Sequence, residues 1–80
     1  MSIYREAAQL LERDVRPGIP ERDLAAARAS GDPRVMVQTC LRAARDRGLP
    51  IRSDTAAAVR DLLPPNGTLD PTVLDGLQIN

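Results

Sequence analysis

Cys40 is the single cysteine of this 80-residue sequence, and histidine is absent. Those two facts narrow the available chemistry before any fold is considered. Without imidazole the chain lacks the usual general base, the commonest metal ligand and every triad built on histidine. Cys40 stands among Val37, Leu41 and Ala44, with no helix start or base beside it to lower its pKa. It reads as a small buried apolar residue, not a nucleophile. The acidic residues are no better arranged. "DLLPPNGTLD", Asp61 to Asp70, lacks the alternating oxygen ligands and closing glutamate of a calcium loop. "RPGIPERD", Arg16 to Asp23, has one glycine, and its prolines remove the backbone donors that a phosphate loop presents. Glu21 and Asp23 are accounted for as helix-start charges. No catalytic residue, cofactor, metal or small-molecule substrate is expected, and the chain is not expected to be an enzyme.

What remains is a basic stripe at helical spacing. In "SGDPRVMVQTCLRAARDRGLP", residues 30–50, Arg34, Gln38, Arg42 and Arg45 recur every three or four positions. They lie opposite an apolar stripe of Val37, Cys40, Leu41 and Ala44 on the same predicted helix. Such a stripe either grips phosphates or is the wet side of a core helix. The DNA-binding version has some support. A helix over 21–29, a turn holding Gly31 and a helix over 33–47 have the outline of a helix-turn-helix. Ala27 and Val37 stand at the offsets from Gly31 that such motifs show. Against it, Asp32 follows the turn glycine where an apolar residue is usual, and Glu21 and Asp23 flank the supporting helix.

The elements that must hold this stripe are readable from caps and stops. A first helix over 2–15 takes Ser2 as N-cap and buries Ile3, Ala7, Leu10, Leu11 and Val15. Glu12 and Arg16 form an i,i+4 pair on it in the favourable order. "RPGIP" breaks it, since proline disfavours helical geometry in the residue before it and Gly18 is free to turn. The second helix starts after Pro20 and turns Leu24, Ala25, Ala27 and Ala26 inward; Ser30-Gly31 stops it. The third is capped by Asp32, admits Pro33 in its first turn, and ends at Gly48. A fourth, over 55–62 after Ser53-Asp54, supplies Ala56, Val59, Leu62 and Leu63. "LPPNG" ends it, and Asp70-Pro71 opens a short C-terminal helical turn carrying Val73, Leu74 and Leu77. No stretch alternates in the period of two that a half-buried strand needs. The prediction is an all-α single domain over 1–80, a bundle of four short helices plus that turn, with residues 66–80 as a peripheral or docking segment.

Composition sets the scale of the core. Of 34 apolar residues 11 are Ala, Tyr4 is the one aromatic, and Phe and Trp are absent. Small domains with thin cores commonly recruit disulfides, metals or a second chain. One Cys and no His leave the third route, so a homo-oligomer or another protein is the expected partner. All 11 basic residues are Arg, the codon signature of a high-GC bacterial or phage genome. Net charge is zero but uneven: residues 1–53 carry ten Arg and seven acids, +3, and residues 54–80 one Arg and four acids, −3. A nucleic-acid module usually shows a clear basic excess. No apolar run approaches the roughly 20 residues of a membrane span. Arg5, Glu6 and Glu12 interrupt the stretch a signal peptide would need, so the expected location is the cytoplasm.

These readings converge on a non-catalytic protein-interaction module: an accessory subunit, adaptor or inhibitor acting through apolar helix faces. Its candidate surface is Arg34, Gln38, Arg42 and Arg45 on the third helix, with Leu74, Leu77 and Ile79 in the tail. The alternative is a helix-turn-helix DNA-binding regulator using helix 33–47.

Overall fold

Four helices carry the fold of the computed structural model, which describes residues 3–79: α1 (Ile3–Val15), α2 (Glu21–Ala29), α3 (Pro33–Arg47) and α4 (Ser53–Arg60). Ser2, the expected cap of α1, lies outside the described residues. Short 3₁₀ turns at Arg16–Gly18 and Pro71–Leu74 join or follow the helices. The architecture is the expected all-α bundle, with one addition. Pro50–Ile51 (β1) and Gln78–Ile79 (β2) pair in parallel, Pro50 opposite Gln78 and Ile51 opposite Ile79. Two residues are too few to leave an alternating pattern in a sequence.

Helix α3 follows its sequence signals closely. The Asp32 side chain accepts the Arg34 N–H at 2.9 Å, and Pro33 sits in the first turn where no donor is needed. Gly48 ends the helix at φ 65°, a left-handed conformation that costs glycine little. Met36, Val37, Cys40, Leu41 and Ala44 form its buried face.

Helices α1 and α3 lie side by side and run in the same direction. Arg5 and Ala8 share a surface groove with Pro33 and Met36 at one end. At the other end Arg47 Nη1 donates to the Gly18 carbonyl at 3.2 Å. Helix α2 is the return path between them, tied back by Arg28, which donates to Glu12 on α1; Arg16, in the turn after α1, donates to the same carboxylate at 2.6 Å. The α1 face is therefore Ala7, Ala8, Leu11 and Val15, with Leu10 half-buried and Ile3 40% exposed. Ala8 turns inward because it lines that groove with Ala27 and Met36, a second packing direction that a single apolar stripe does not describe. On α2, Leu24 and Ala27 are buried while Ala25 and Ala26 stay exposed, since this short helix is covered on one side.

Helix α4 starts two residues earlier than predicted, at Ser53, because its first turn is held from outside. Asp14 at the end of α1 accepts the Arg52 N–H at 2.9 Å and the Thr55 hydroxyl at 2.6 Å. Arg13 joins Asp14 at 2.9 Å and Asp54 at 3.3 Å. The helix ends at Arg60, and Leu62 is buried from the turn that follows. There the backbone is tight: a Cβ on Gly67 would lie 2.0 Å from the Leu62 carbonyl oxygen. Leu69 N–H donates to that same carbonyl at 3.0 Å, and Tyr4 Oη accepts the Thr68 N–H at 2.9 Å. The chain is thus returned to the N-terminal end of α1 before the tail begins.

The Cα radius of gyration, 11.3 Å, matches the roughly 11.6 Å of a compact chain of this length. The accessible surface is 4880 Å², close to the roughly 4,700 Å² of a folded monomer of this mass. The core is built from Leu, Ile, Val and Ala with Met36 and Cys40. No helix among the described residues is long and apolar enough to cross a membrane.

Candidate interaction surface

The buried face of α3 points at α1, and its opposite face stands exposed at Arg34, Val35, Gln38, Arg42 and Arg45. At 100° per residue Val35 and Arg42, seven positions apart, form the crest of that outer face. Thr39 and Ala43 lie on its α2 side. Arg34, Gln38 and Arg45 lie on its other side, toward the C-terminal segment. The four predicted residues are therefore on the surface of one helix, but they make two features and not one.

On the α2 side a groove of about 460 Å³ runs between α2 and α3. Ile19, Ala26, Ala27, Val35, Thr39 and Ala43 line it, with Asp23, Arg42, Asp46 and Arg47 also on its walls. Val35 is one of three large apolar side chains left exposed among the described residues, at 37%. Sequence reasoning passed over Val35, Thr39 and Ala43. Their i, i+4, i+8 spacing is a second, weaker stripe on α3, and it was masked by the stronger apolar stripe facing α1.

On the other side the tail runs beside α3. One cavity, about 230 Å³, is lined by Tyr4, Arg34, Gln38, Thr68, Leu69, Asp70 and Val73. The next, about 260 Å³, is lined by Gln38, Leu41, Arg42, Arg45 and Val73. Further along, Gly76 lies against the Arg45 side chain, 3.6 Å from its Cγ to an ideal Cβ. Leu74 and Leu77 are half-buried and pack on the core, so the tail folds over its own bundle, while Ile79 is 40% exposed.

The cations of α3 are unequally engaged. Arg34 pairs with Asp32 at 3.4 Å and Arg45 with Asp46 at 3.5 Å, both in solvent. Arg42 makes no ion pair or side-chain hydrogen bond among the described residues. The Arg34 N–H, with its guanidinium, holds the Asp32 carboxyl below its ordinary range. Tyr4 is lowered likewise by the Thr68 hydroxyl and N–H. Cys40 goes the other way: burial, with the nearby Glu12 charge, pushes its thiol up to about 12. At neutral pH it is a protonated core group. Among the described residues no three His, Cys, Asp or Glu side chains stand together as a metal site would need. Family models, curated proteins and solved structures gave no match to this chain.

Because Arg34 and Arg42 stand in solvent with weak pairs or none, their removal should be felt little by the fold. The double change Arg34→Gln with Arg42→Gln is expected to shift unfolding free energy by no more than about 0.5 kcal/mol. Urea melts of the two chains check this. A loss beyond about 1.5 kcal/mol would mean the stripe carries structure.

Proposed function

We propose that this chain is a non-catalytic protein-interaction module, an accessory subunit, adaptor or inhibitor working in the cytoplasm, and that the outer face of α3 receives the partner. The observation that carries the reading is the α2–α3 groove, which Ile19, Ala26, Ala27, Val35 and Ala43 line with small or apolar side chains beside Thr39. Small side chains at Ala26, Thr39 and Ala43 admit the close approach of another helix, and Val35 offers it an apolar contact. Both signs of charge stand on the walls, Asp23 and Asp46 with Arg42 and Arg47, which fixes register more than it adds affinity. The favoured occupant is an amphipathic helix of another protein, laid into the groove.

A second reading has specific support. Ala27 and Val37 are buried at 4% and 0%, and Gly31 takes a φ of 72° between α2 and α3, as a helix-turn-helix requires. Arg34, Gln38 and Arg42 would then face a major groove. The zero net charge and the acids beside the stripe, Asp32, Asp46 and Asp70, weigh against it, since each would face a phosphate.

Affinity capture from native lysate, with and without nuclease, separates the two. The expected result is a protein that survives nuclease and is lost when Val35→Glu places a charge in the groove. Capture that disappears with nuclease, and persists in Val35→Glu, would favour the DNA-binding reading.

A further inference from the structure

We infer that the seam between α3 and the C-terminal tail is a self-association surface, and that its occupant is a second copy of this chain. The inference rests on the reading of the chain as a protein-interaction module, but it uses the opposite edge of α3 from the α2–α3 groove. Its basis is charge. On this edge α3 presents Arg34 and Arg45, with Arg42 at its crest, while residues 68–79 carry two Asp and no cation, net −2. These two strips lie side by side along one seam. Arg34 shares a cavity with Asp70 at one end, and Arg45 lies against Gly76, next to Asp75, at the other. The tail therefore runs parallel to α3, with Val73 between them beside Gln38 and Leu41.

Adjacent strips of opposite sign are self-complementary under one symmetry operation. A two-fold axis lying along the seam places each basic strip over the acidic strip of the other copy, at the same height. Arg45 then meets Asp75 of the second copy, and Arg34 meets Asp70, each pair occurring twice. The alternative axis, across the seam, would set like charges together. Within one chain these pairs are not closed: neither Asp70 nor Asp75 forms an ion pair among the described residues. Asp70 uses Oδ1 to cap its own turn, accepting Thr72 N–H at 3.0 Å and Thr72 Oγ1 at 2.9 Å, and its Oδ2 makes no bond among them. Half-buried Val73 sits on the axis as an apolar centre inside a charged rim, the usual arrangement of an interface. Zero net charge removes the long-range repulsion between copies.

The faces available are small. The longest two dimensions of the molecule are 33 and 27 Å, so the contact falls near or below the roughly 800 Å² per partner of a standard interface. The monomer is already folded, and the dimer is accordingly weak, reversible and sensitive to salt.

Sedimentation equilibrium of the full chain, from about 1 μM to about 500 μM, tests this with a charge exchange. The wild-type chain is expected to dimerise with concentration, and less so as salt rises. Arg45→Glu alone, and Asp75→Arg alone, should each weaken association at least about tenfold, because symmetry counts each change twice. Mixing the two variants should restore it. The carboxylate introduced in one then meets the guanidinium introduced in the other, and the unchanged Asp75 of the first meets the unchanged Arg45 of the second. Circular dichroism confirms that each variant is folded; were Asp75→Arg not to fold, the salt dependence and Arg45→Glu still decide. A wild-type chain that stays monomeric throughout, single variants that associate as it does, or a mixture that fails to recover would each overturn the inference. None of those outcomes touches Val35 or the groove, so the capture experiment stands or falls separately. Tight binding of duplex DNA by a chain that stays monomeric would assign the Arg edge to phosphate and also overturn it.

Discussion

Val37→Asp is expected to abolish cooperative folding, and Leu41→Asp to do nearly the same. Val37 is 0% exposed and Leu41 4%, in the middle of the face that α3 turns to α1. A carboxylate there has no cation to meet, because the arginines of α3 point away from the core. An unpaired buried charge costs at least several kcal/mol, or forces the group to take up a proton at a similar cost. A chain of this size has a total stability of about 4–12 kcal/mol, and this one builds its core without Phe or Trp. The loss of packing adds to the charge penalty, so the native state has little left to resist with. Far-UV circular dichroism and a urea melt measure it directly. Retention of a cooperative transition with a stability loss under about 2 kcal/mol would show that this face is not the centre of the core.

The contrast with Arg34 and Arg42 on the same helix separates the parts of the fold that were legible in the sequence from the parts that were not. The ends of α3 could be read from Asp32, Pro33 and Gly48 because caps act on backbone groups within a few residues. Its inward residues could be read from spacing because α1 covers one arc of it. Where an element meets two neighbours, spacing gave a partial answer: Ala8 faces the α2–α3 side, and Ile3 turns out to solvent. Long-range polar contacts left no trace. Asp14 looked like an ordinary residue at a helix end, and its partners Arg52 and Thr55 are 38 and 41 residues away. The same limit applies to the candidate surface. The Arg stripe was visible as a period, but its division between a groove toward α2 and a seam toward the tail depends on where α2 and residues 68–79 lie.

Asp14 is the clearest case of such a contact, and removing it should be the costliest polar change in the molecule. Its side chain is only 3% exposed, and it accepts from Arg52 N–H, the Thr55 hydroxyl and Arg13 Nε. Thr55 is itself 0% exposed. Asp14→Ala would leave the Thr55 O–H without its acceptor, with only the 3.3 Å bond from Arg13 Nη2 remaining on that oxygen, and would loosen the first turn of α4 from the end of α1, at a cost of about 2–4 kcal/mol. Part of that contact is a titration. Burial raises the Asp14 carboxyl, but the bonds from Arg52, Thr55 and Arg13 outweigh it and leave the group below its ordinary value of 3.8. A carboxylate depressed on folding contributes stability that is fully present above the unfolded value and is lost as pH falls through the folded one. Glu12, Asp32 and Asp70 are depressed in the same sense, so the whole chain should weaken in acid below about pH 4. Asp14→Asn keeps the shape without the charge. It should be less stable than wild type at neutral pH, and it should lose less on acidification. Urea midpoints for both chains between about pH 7 and about pH 2.5 give the two slopes. Parallel acid limbs would show that Asp14 holds α4 through shape alone; a shallower limb in Asp14→Asn shows that the ionised carboxylate fastens the two helices together.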